Sequence, residues 1–238
     1  MAGIDKLVGV IGGMGPSATV DFMSLVMRAT PADEDQDHIR MLVEHNPGIP
    51  SRQLAISGGG ENPGPVIASM ASRLEAAGVD FLVMPCNTAH AWQSDIVAAT
   101  SIPFISIVDE SVASAMSRSD DNSAIGLMAT PGCFAAGLYQ DAIGANNRPV
   151  VTQTDEEMAA TINLVDSIKS GDTSAEVSDG LRALADALIN RGAKIIIAAC
   201  TEIPLVLDAS MFDVAFVSTT NVLATKTVAL ARGDIPLN

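Results

Sequence analysis

Short apolar runs and longer amphipathic stretches alternate along the 238-residue chain. LVGVIGG at 7 to 13 has the length and β-branched content of a strand, 17 to 29 repeats its apolar residues at helical spacing, and MLVEH at 41 to 45 returns to strand length. The alternation continues with a helix from about Pro65 to Gly78, a strand FLVMP at 81 to 85, a helix near 88 to 99 and a strand FISI at 104 to 107. A second round opens with AIGLMAT at 124 to 130. It runs through helices near 134 to 145, 155 to 170 and 174 to 191 to the strands KIIIAAC and VAFVS. Strand–helix–strand repetition predicts an α/β protein on mainly parallel sheets, because parallel neighbours need a crossover and the crossover is right-handed.

The two rounds resemble each other. Each opens with a glycine-bearing apolar strand that runs into a turn (VGVIGGMGP and AIGLMATPG), and each later has a strand that ends in cysteine (FLVMPCNTA and IIIAACTEI). Cys86 and Cys200 are 114 residues apart, and Gly9 and Gly126 are 117 apart. Such parallel offsets predict duplication of one lobe. SRSDDNS at 117 to 123 is polar and turn-forming, the best linker candidate between the rounds. GGGENPGP at 58 to 65 falls inside the first lobe and reads as a loop or lid near a site.

Composition sharpens this picture. Hydrophobic residues make up 48% of the chain but aromatics only 3%, so the core is built from Ala, Val, Ile, Leu and Met, which suits buried parallel strands under helices. With 28 Asp and Glu against 13 Lys and Arg, the net charge of −15 repels nucleic acid and anionic membranes. The same field repels an anionic substrate, so a site for one needs its own Arg or Lys. Three cysteines spread over the chain make no disulfide framework, and MAGIDKLVGVIGG lacks the charged and apolar segments of a secretion signal. Both features predict a cytoplasmic protein. No apolar run reaches the roughly 18 residues that span a bilayer.

Cys86 and Cys200 each follow an apolar strand and precede polar residues, Asn87 and Thr88 in one case, Thr201 and Glu202 in the other. In open parallel sheets ligands bind beyond the carboxyl ends of strands, where helix N-termini offer N–H groups. A helix N-terminus also lowers a thiol pKa, so both cysteines are expected to have thiolate character. Removing an α-proton inverts a carbon centre only if a proton returns on the opposite face, which takes two groups, one thiolate and one thiol. Glu202 reads either as a backbone cap at a helix start or as a group that sets the proton state of Cys200. His90 reads as a satisfied structural histidine. His38 and His45 form no metal spacing with any cysteine, and no metal is predicted.

GGMGP at 12 to 16, DQDHIR at 35 to 40, IPSR at 49 to 52, MPCNTAH at 84 to 90, SIKSG at 167 to 171 and ACTEIPL at 199 to 205 together resemble the aspartate/glutamate racemase family. The resemblance runs from about residue 7 to residue 230, and PCNTAH paired with CTEIPL points to its aspartate-racemase branch, which includes broad-specificity amino-acid racemases. It implies two pseudosymmetric α/β lobes with the active site in the cleft between them, one catalytic cysteine from each lobe, no pyridoxal phosphate or other cofactor, and a homodimer. It also implies that 218 to 238 return to join 1 to 108 as the first lobe, with 109 to 217 as the second. Carried over residue by residue, Cys86 and Cys200 are the acid/base thiols. Asn87, Thr88 and Thr201 hold the α-carboxylate and ammonium, Arg52 and Lys169 receive the side-chain carboxylate, and Met14 and Gly15 line the first turn. The chain departs from the pattern at Gly132-Cys133, where relatives often have Gly-Thr. It departs again in HNPGIPSR, where aspartate racemases often read Asn-Asp-Pro followed by a polar residue. The expected substrate is aspartate, another acidic amino acid or a broader set.

Two other classes compete. Gly13-Met14-Gly15-Pro16-Ser17-Ala18 fits the G-x-G-x-x-A of dinucleotide enzymes, but Pro16 lacks an N–H for the pyrophosphate and the nearest ribose acid, Glu44, lies 26 residues past Ala18. A glycine turn built for close packing explains the same residues. A non-catalytic two-lobed binding protein would use Arg52 and Lys169 but leaves the paired cysteines unexplained.

Overall fold

A computed structural model describes residues 6–119 and 122–237. The chain forms two compact units, one of residues up to Ile107 together with those from Thr220 onward, the other Val108–Thr219. Along the first unit run β1 (Val8–Gly12), α1 (Pro16–Ala29), β2 (Met41–His45), α2 (Arg52–Ile56), α3 (Gly64–Ala76), β3 (Phe81–Val83), α4 (Gln93–Ala99) and β4 (Phe104–Ile105). There follow α5 (Ile107–Met116), β5 (Ala124–Ala129), α6 (Pro131–Ala135), α7 (Leu138–Gly144), β6 (Val150–Thr152), α8 (Asp155–Lys169), α9 (Ala175–Asn190), β7 (Ala193–Ala199), β8 (Ala215–Ser218) and α10 (Thr219–Ala231). Each unit holds one parallel four-stranded sheet, ordered β2-β1-β3-β4 in the first and β6-β5-β7-β8 in the second. The α/β architecture read from the alternation is the one observed, and the identical strand order is the structural form of the repeat. Among the described residues no helix is long and apolar enough to cross a membrane.

The register extends the repeat to single residues. Gly9 pairs with Leu82 and Leu82 with Phe104, while Gly126 pairs with Ile196 and Ile196 with Phe216. A Cβ on Gly9 would lie 2.7 Å from Leu82 Cδ2 and 2.8 Å from Val79 Cγ2, and one on Gly126 would lie 2.6 Å from Ile196 Cδ1 and 2.9 Å from Ala193 Cβ. Both central strands are therefore bare where the neighbouring strand's side chain crosses them. Four residues beyond Leu82 stands Cys86, and four beyond Ile196 stands Cys200.

Several boundaries differ from expectation, each for a local reason. The helix expected at 134 to 145 is two helices, parted where Gly137 takes φ 70°. FISI keeps only Phe104 and Ile105 in the sheet, because α5 takes over at Ile107. The helix after Cys86 opens as a 3₁₀ turn, Thr88–Trp92, before α4. The stretch 117 to 123 is a loop inside the second unit between α5 and β5, not a linker between units, with residues 120 and 121 outside the described residues. Sequence reading passed over β6, a three-residue edge strand, along with α2 and α5.

Candidate active site

In the first unit, β3 delivers the chain through Met84 and Pro85 to Cys86, which is 7% exposed and whose N–H donates to the Met84 carbonyl at 2.8 Å. Asn87 and Thr88 are buried beside it. Met14 and Ile49 belong to the same apolar cluster as Cys86. The short helix α2 packs on the turn after Cys86, and Arg52 is its first residue. Arg52 Nη1 donates to the Ile49 carbonyl at 3.0 Å and the Pro50 carbonyl at 2.8 Å. Gly15 caps α1, and its carbonyl accepts from the Thr19 hydroxyl at 3.0 Å.

One residue fixes the Cys86 turn from behind. His90 is buried, its Nδ1 lies 2.8 Å from the Cys86 carbonyl, and its Nε2 accepts from the Ile107 N–H at 3.1 Å. With Nε2 an acceptor, Nδ1 carries the proton and donates to Cys86, so both nitrogens are satisfied in the neutral ring. The ring stacks obliquely on Phe104 at 5.3 Å between centroids. Burial drives its pKa down to about 4, with the Cys86 carbonyl pulling the other way. His90 is a structural pin between the Cys86 turn and the start of α5.

In the second unit, β7 ends at Ala199 and Cys200 follows, again 7% exposed. The Cys200 thiol donates to Glu202 Oε2 at 3.0 Å, and the Thr201 hydroxyl donates to the same oxygen at 3.2 Å. Glu202 is 3% exposed, so its carboxylate has lost most of its water and takes these two protons in exchange. Burial, then the Glu202 charge and hydrogen bond, push the Cys200 thiol well above its ordinary pKa, while Lys169 pulls it down. This corrects the expectation of a thiolate at a helix N-terminus: three residues of 3₁₀ turn, Ile203–Leu205, follow Cys200 where an α-helix was expected, and a carboxylate lies at the thiol. Lys169, at the end of α8, ion-pairs with Asp166 at 3.0 Å. Burial lowers its pKa, but the Asp166 hydrogen bond and the fields of Glu202 and Cys200 more than offset this and keep it charged.

The expected site residues thus fall into two sets. Met14, Gly15, Arg52, Cys86, Asn87 and Thr88 gather in the first unit, and Lys169, Cys200, Thr201 and Glu202 in the second. Cys133, the third thiol, is 1% exposed in α6. Sequence reasoning missed two supporting groups. Gln153 accepts from the Ala129 N–H at 3.0 Å and donates to Thr161 at 2.6 Å, tying the end of β5 to α8. Tyr139, the chain's one tyrosine, is fully buried, and burial together with the nearby Cys133, Asp109 and Cys200 pushes its pKa up. A single tyrosine in an aromatic-poor chain is the signal that could have flagged it.

The Asp/Glu/hydantoin racemase family model matches residues 11–227. The chain belongs to that family. It is 27% identical to the broad-specificity amino-acid racemase RacX of Bacillus subtilis over 94% of this chain and 97% of that one. The aspartate racemase of Picrophilus torridus superposes with a TM-score of 0.84 at 26% identity, over 96% of this chain and 94% of that one. A glutamate racemase of Bacillus anthracis shares the fold, with a TM-score of 0.67 at 18% identity over 96% of this chain and 83% of that one. The resemblance read from the motifs is therefore correct, and the protein is an isomerase of the racemase type.

Membership in this racemase family displaces the dinucleotide reading, and the first turn agrees. Gly13 has φ 101°, and a Cβ there would sit 2.4 Å from the Asn46 backbone. Its N–H donates to the Thr19 hydroxyl at 2.8 Å, and Pro16 has none. Gly13 serves close packing, its own N–H is engaged, and Pro16 offers a pyrophosphate no donor.

His90 generates a pH prediction. Its folded pKa of about 4 lies below the ordinary 6.5, so above about pH 6.5 the ring is neutral in both states and its contribution is fully present. As pH falls from about 6.5 toward about 4, the unfolded chain takes up a proton that the buried ring refuses, and stability drops by about 3 kcal/mol. Urea unfolding at stepped pH should follow this decline, and His90→Gln should flatten it. Equal declines in the two proteins would refute the pin.

Proposed function

We propose that the protein is a cytoplasmic, cofactor-independent amino-acid racemase for aspartate or another acidic amino acid, in which Cys86 and Cys200 carry the α-proton, and that it works as a homodimer. The observation that carries the reading is the twinned placement of the two thiols, each four residues past the register partner of its unit's central glycine. Duplication of a sheet is a direct way to obtain two equivalent bases for the two faces of one carbon.

In this reading Cys200 starts as the thiol, because burial and the Glu202 carboxylate both disfavour its anion, and the accepting role in the first step is assigned to Cys86. The Cys86 thiolate takes the α-proton from one enantiomer, and the electron pair of the broken C–H bond stays on carbon. Cys200 then delivers its own proton to the opposite face, so Cys86 ends as the thiol and Cys200 as the thiolate. The Lys169 charge, which opposes Glu202 at Cys200, makes that second state accessible. Asn87, Thr88 and Thr201 hold the α-carboxylate and ammonium, where fixed donors stabilise the developing carbanion. Met14 and Gly15 line the turn against the substrate.

A second reading, broad specificity, is favoured by the likeness to RacX over nearly both full lengths. Lys169 already has Asp166 as a partner, so discrimination between substrates falls mainly on Arg52. If the enzyme selects acidic substrates, Arg52→Ala weakens aspartate turnover by about 1.5 to 3 kcal/mol in kcat/KM, the worth of a hydrogen bond to a charged group, and leaves alanine turnover unchanged. Equal effects on both substrates would mean that Arg52 does not receive the side-chain carboxylate.

Replacing either cysteine by Ala should lower racemisation at least about a hundredfold, the ordinary cost of losing an acid/base group. In deuterated buffer each single variant should still exchange the α-hydrogen of one enantiomer, with opposite preferences for the two variants, while Cys133→Ala behaves as wild type. Racemisation within about tenfold of wild type in either cysteine variant sinks the mechanism.

Glu202→Gln removes the charge that raises the Cys200 pKa. The alkaline limb of kcat/KM, where the resting thiol loses its proton, should then move to lower pH. An unmoved limb with reduced kcat would mean that Glu202 only holds the loop.

A further inference from the structure

Six large apolar side chains stand exposed among the described residues, and three of them share one face of α1: Val20 (62% exposed), Met23 (37%) and Met27 (54%). They recur at i, i+3 and i+7, a continuous stripe along the helix. Beside the stripe an open groove of about 480 Å³ is floored by His38, Ile39 and Met41. One polar atom in that floor, His38 Nδ1, is buried with no hydrogen-bond partner. A second groove of about 500 Å³ continues along the same helix past Ser17 to His45. The other three, Leu42, Leu54 and Val97, lie on three different elements, so α1 holds the one run of exposed large apolar side chains along a helix among the described residues.

The charge on the helix says what fits. Its only charged residues are Asp21 and Arg28, one heptad apart on the same flank of the stripe. Within the chain they are loosely paired, at 3.8 Å, with the Arg28 side chain 60% exposed. Burial raises the Asp21 carboxyl and Arg28 lowers it. If two copies of α1 meet antiparallel about a two-fold axis near Ser24, each Arg28 lies beside the partner's Asp21, and Val20 of each copy lies beside Met27 of the other. That is the self-complementarity an isologous interface requires. A membrane is the wrong occupant, because an interfacial helix needs flanking cations and this protein carries a net charge of −15.

We propose that the α1 face, with the His38–Met41 groove, is the surface on which a second copy of this chain docks, α1 against α1 in antiparallel. The proposal rests on the homodimer put forward above and names its surface. Two-fold contact sets an apolar centre between charged pairs, so the dimer needs no polar core.

Equilibrium sedimentation tests it. Wild type should be dimeric. The double variant Val20→Glu/Met27→Glu should raise the dimer Kd at least about tenfold, the effect of losing centrally buried anchors, while its circular dichroism spectrum stays as in wild type. Arg28→Asp should weaken the dimer, and adding Asp21→Arg to it should restore dimerisation; this pair stands as the test even if the glutamate variant fails to fold. A dimer unaffected by every variant overturns the face and leaves the homodimer standing. A wild type that is monomeric throughout overturns both, and if its groove still takes up an apolar dye the occupant is a partner of another kind. Racemase turnover is assayed separately, so failure here is distinguishable from failure of the two-thiol mechanism.

Discussion

Neither central strand can carry a side chain at Gly9 or Gly126, and this bareness governs the geometry of both units. The space a Cβ would take is filled by Leu82 and Val79 in one sheet and by Ile196 and Ala193 in the other. A one-residue slip would set a side chain against that filling and turn the inward residues outward. With the register locked at Gly9·Leu82·Phe104 and Gly126·Ile196·Phe216, the carboxyl ends of β3 and β7 are fixed, and whatever stands beyond them inherits that position. Two thiols four residues past these anchors therefore occupy matching places without needing similar surroundings.

Their surroundings differ, and the difference lies two residues on. Thr88 follows Cys86 at the position where Glu202 follows Cys200. A carboxylate in a nearly dry site is tolerated only with donors, and the Cys200 thiol and Thr201 hydroxyl supply them. The first unit has a different pin: His90 ties the Cys86 carbonyl to the start of α5, and the matching position in the second unit is Pro204, which carries no donor there. In the second unit a side-chain brace falls on another strand, where Gln153 ties the end of β5 to α8. The strand framework is common to both units, and the surroundings of the two thiols are set by a few residues that differ between them.

The α/β class, the repeat and the cysteine placement were legible in the sequence, because each depends on periodicity or on spacing. FLVMPC and IIIAAC are strands followed by a thiol in any parallel sheet, and the motifs around them carried the family. What could not be read depends on three-dimensional neighbours. The Cys200 thiol was expected to be acidified by a helix terminus, yet a 3₁₀ turn stands there, and burial together with the Glu202 carboxylate makes the thiol a weaker acid. Glu202 was open between a backbone cap and a group acting on Cys200, and only the folded loop turns its oxygen back on that thiol. Edge strand β6 was invisible because three residues give no period to detect. The break between α6 and α7 depends on a left-handed Gly137, which the residues 134 to 145 disguise as one amphipathic run.

Cations are scarce in this chain, 13 against 28 acids, and their partners decide what they can recognise. Arg73 is engaged with Glu44, Arg191 with Glu157, and Lys169 with Asp166. Arg52 differs: its hydrogen bonds among the described residues are to the carbonyls of Ile49 and Pro50, made by Nη1, which orients the guanidinium without neutralising it. A guanidinium held by neutral acceptors keeps its full charge and its remaining N–H donors for an incoming carboxylate, and the planar fork suits two-point contact. Lys169 would have to give up Asp166 to bind a substrate carboxylate, and the nearby Glu202 would oppose that carboxylate. In the proposed reading, then, Lys169 acts chiefly on the proton state of Cys200, and Arg52 is the residue that selects the acid.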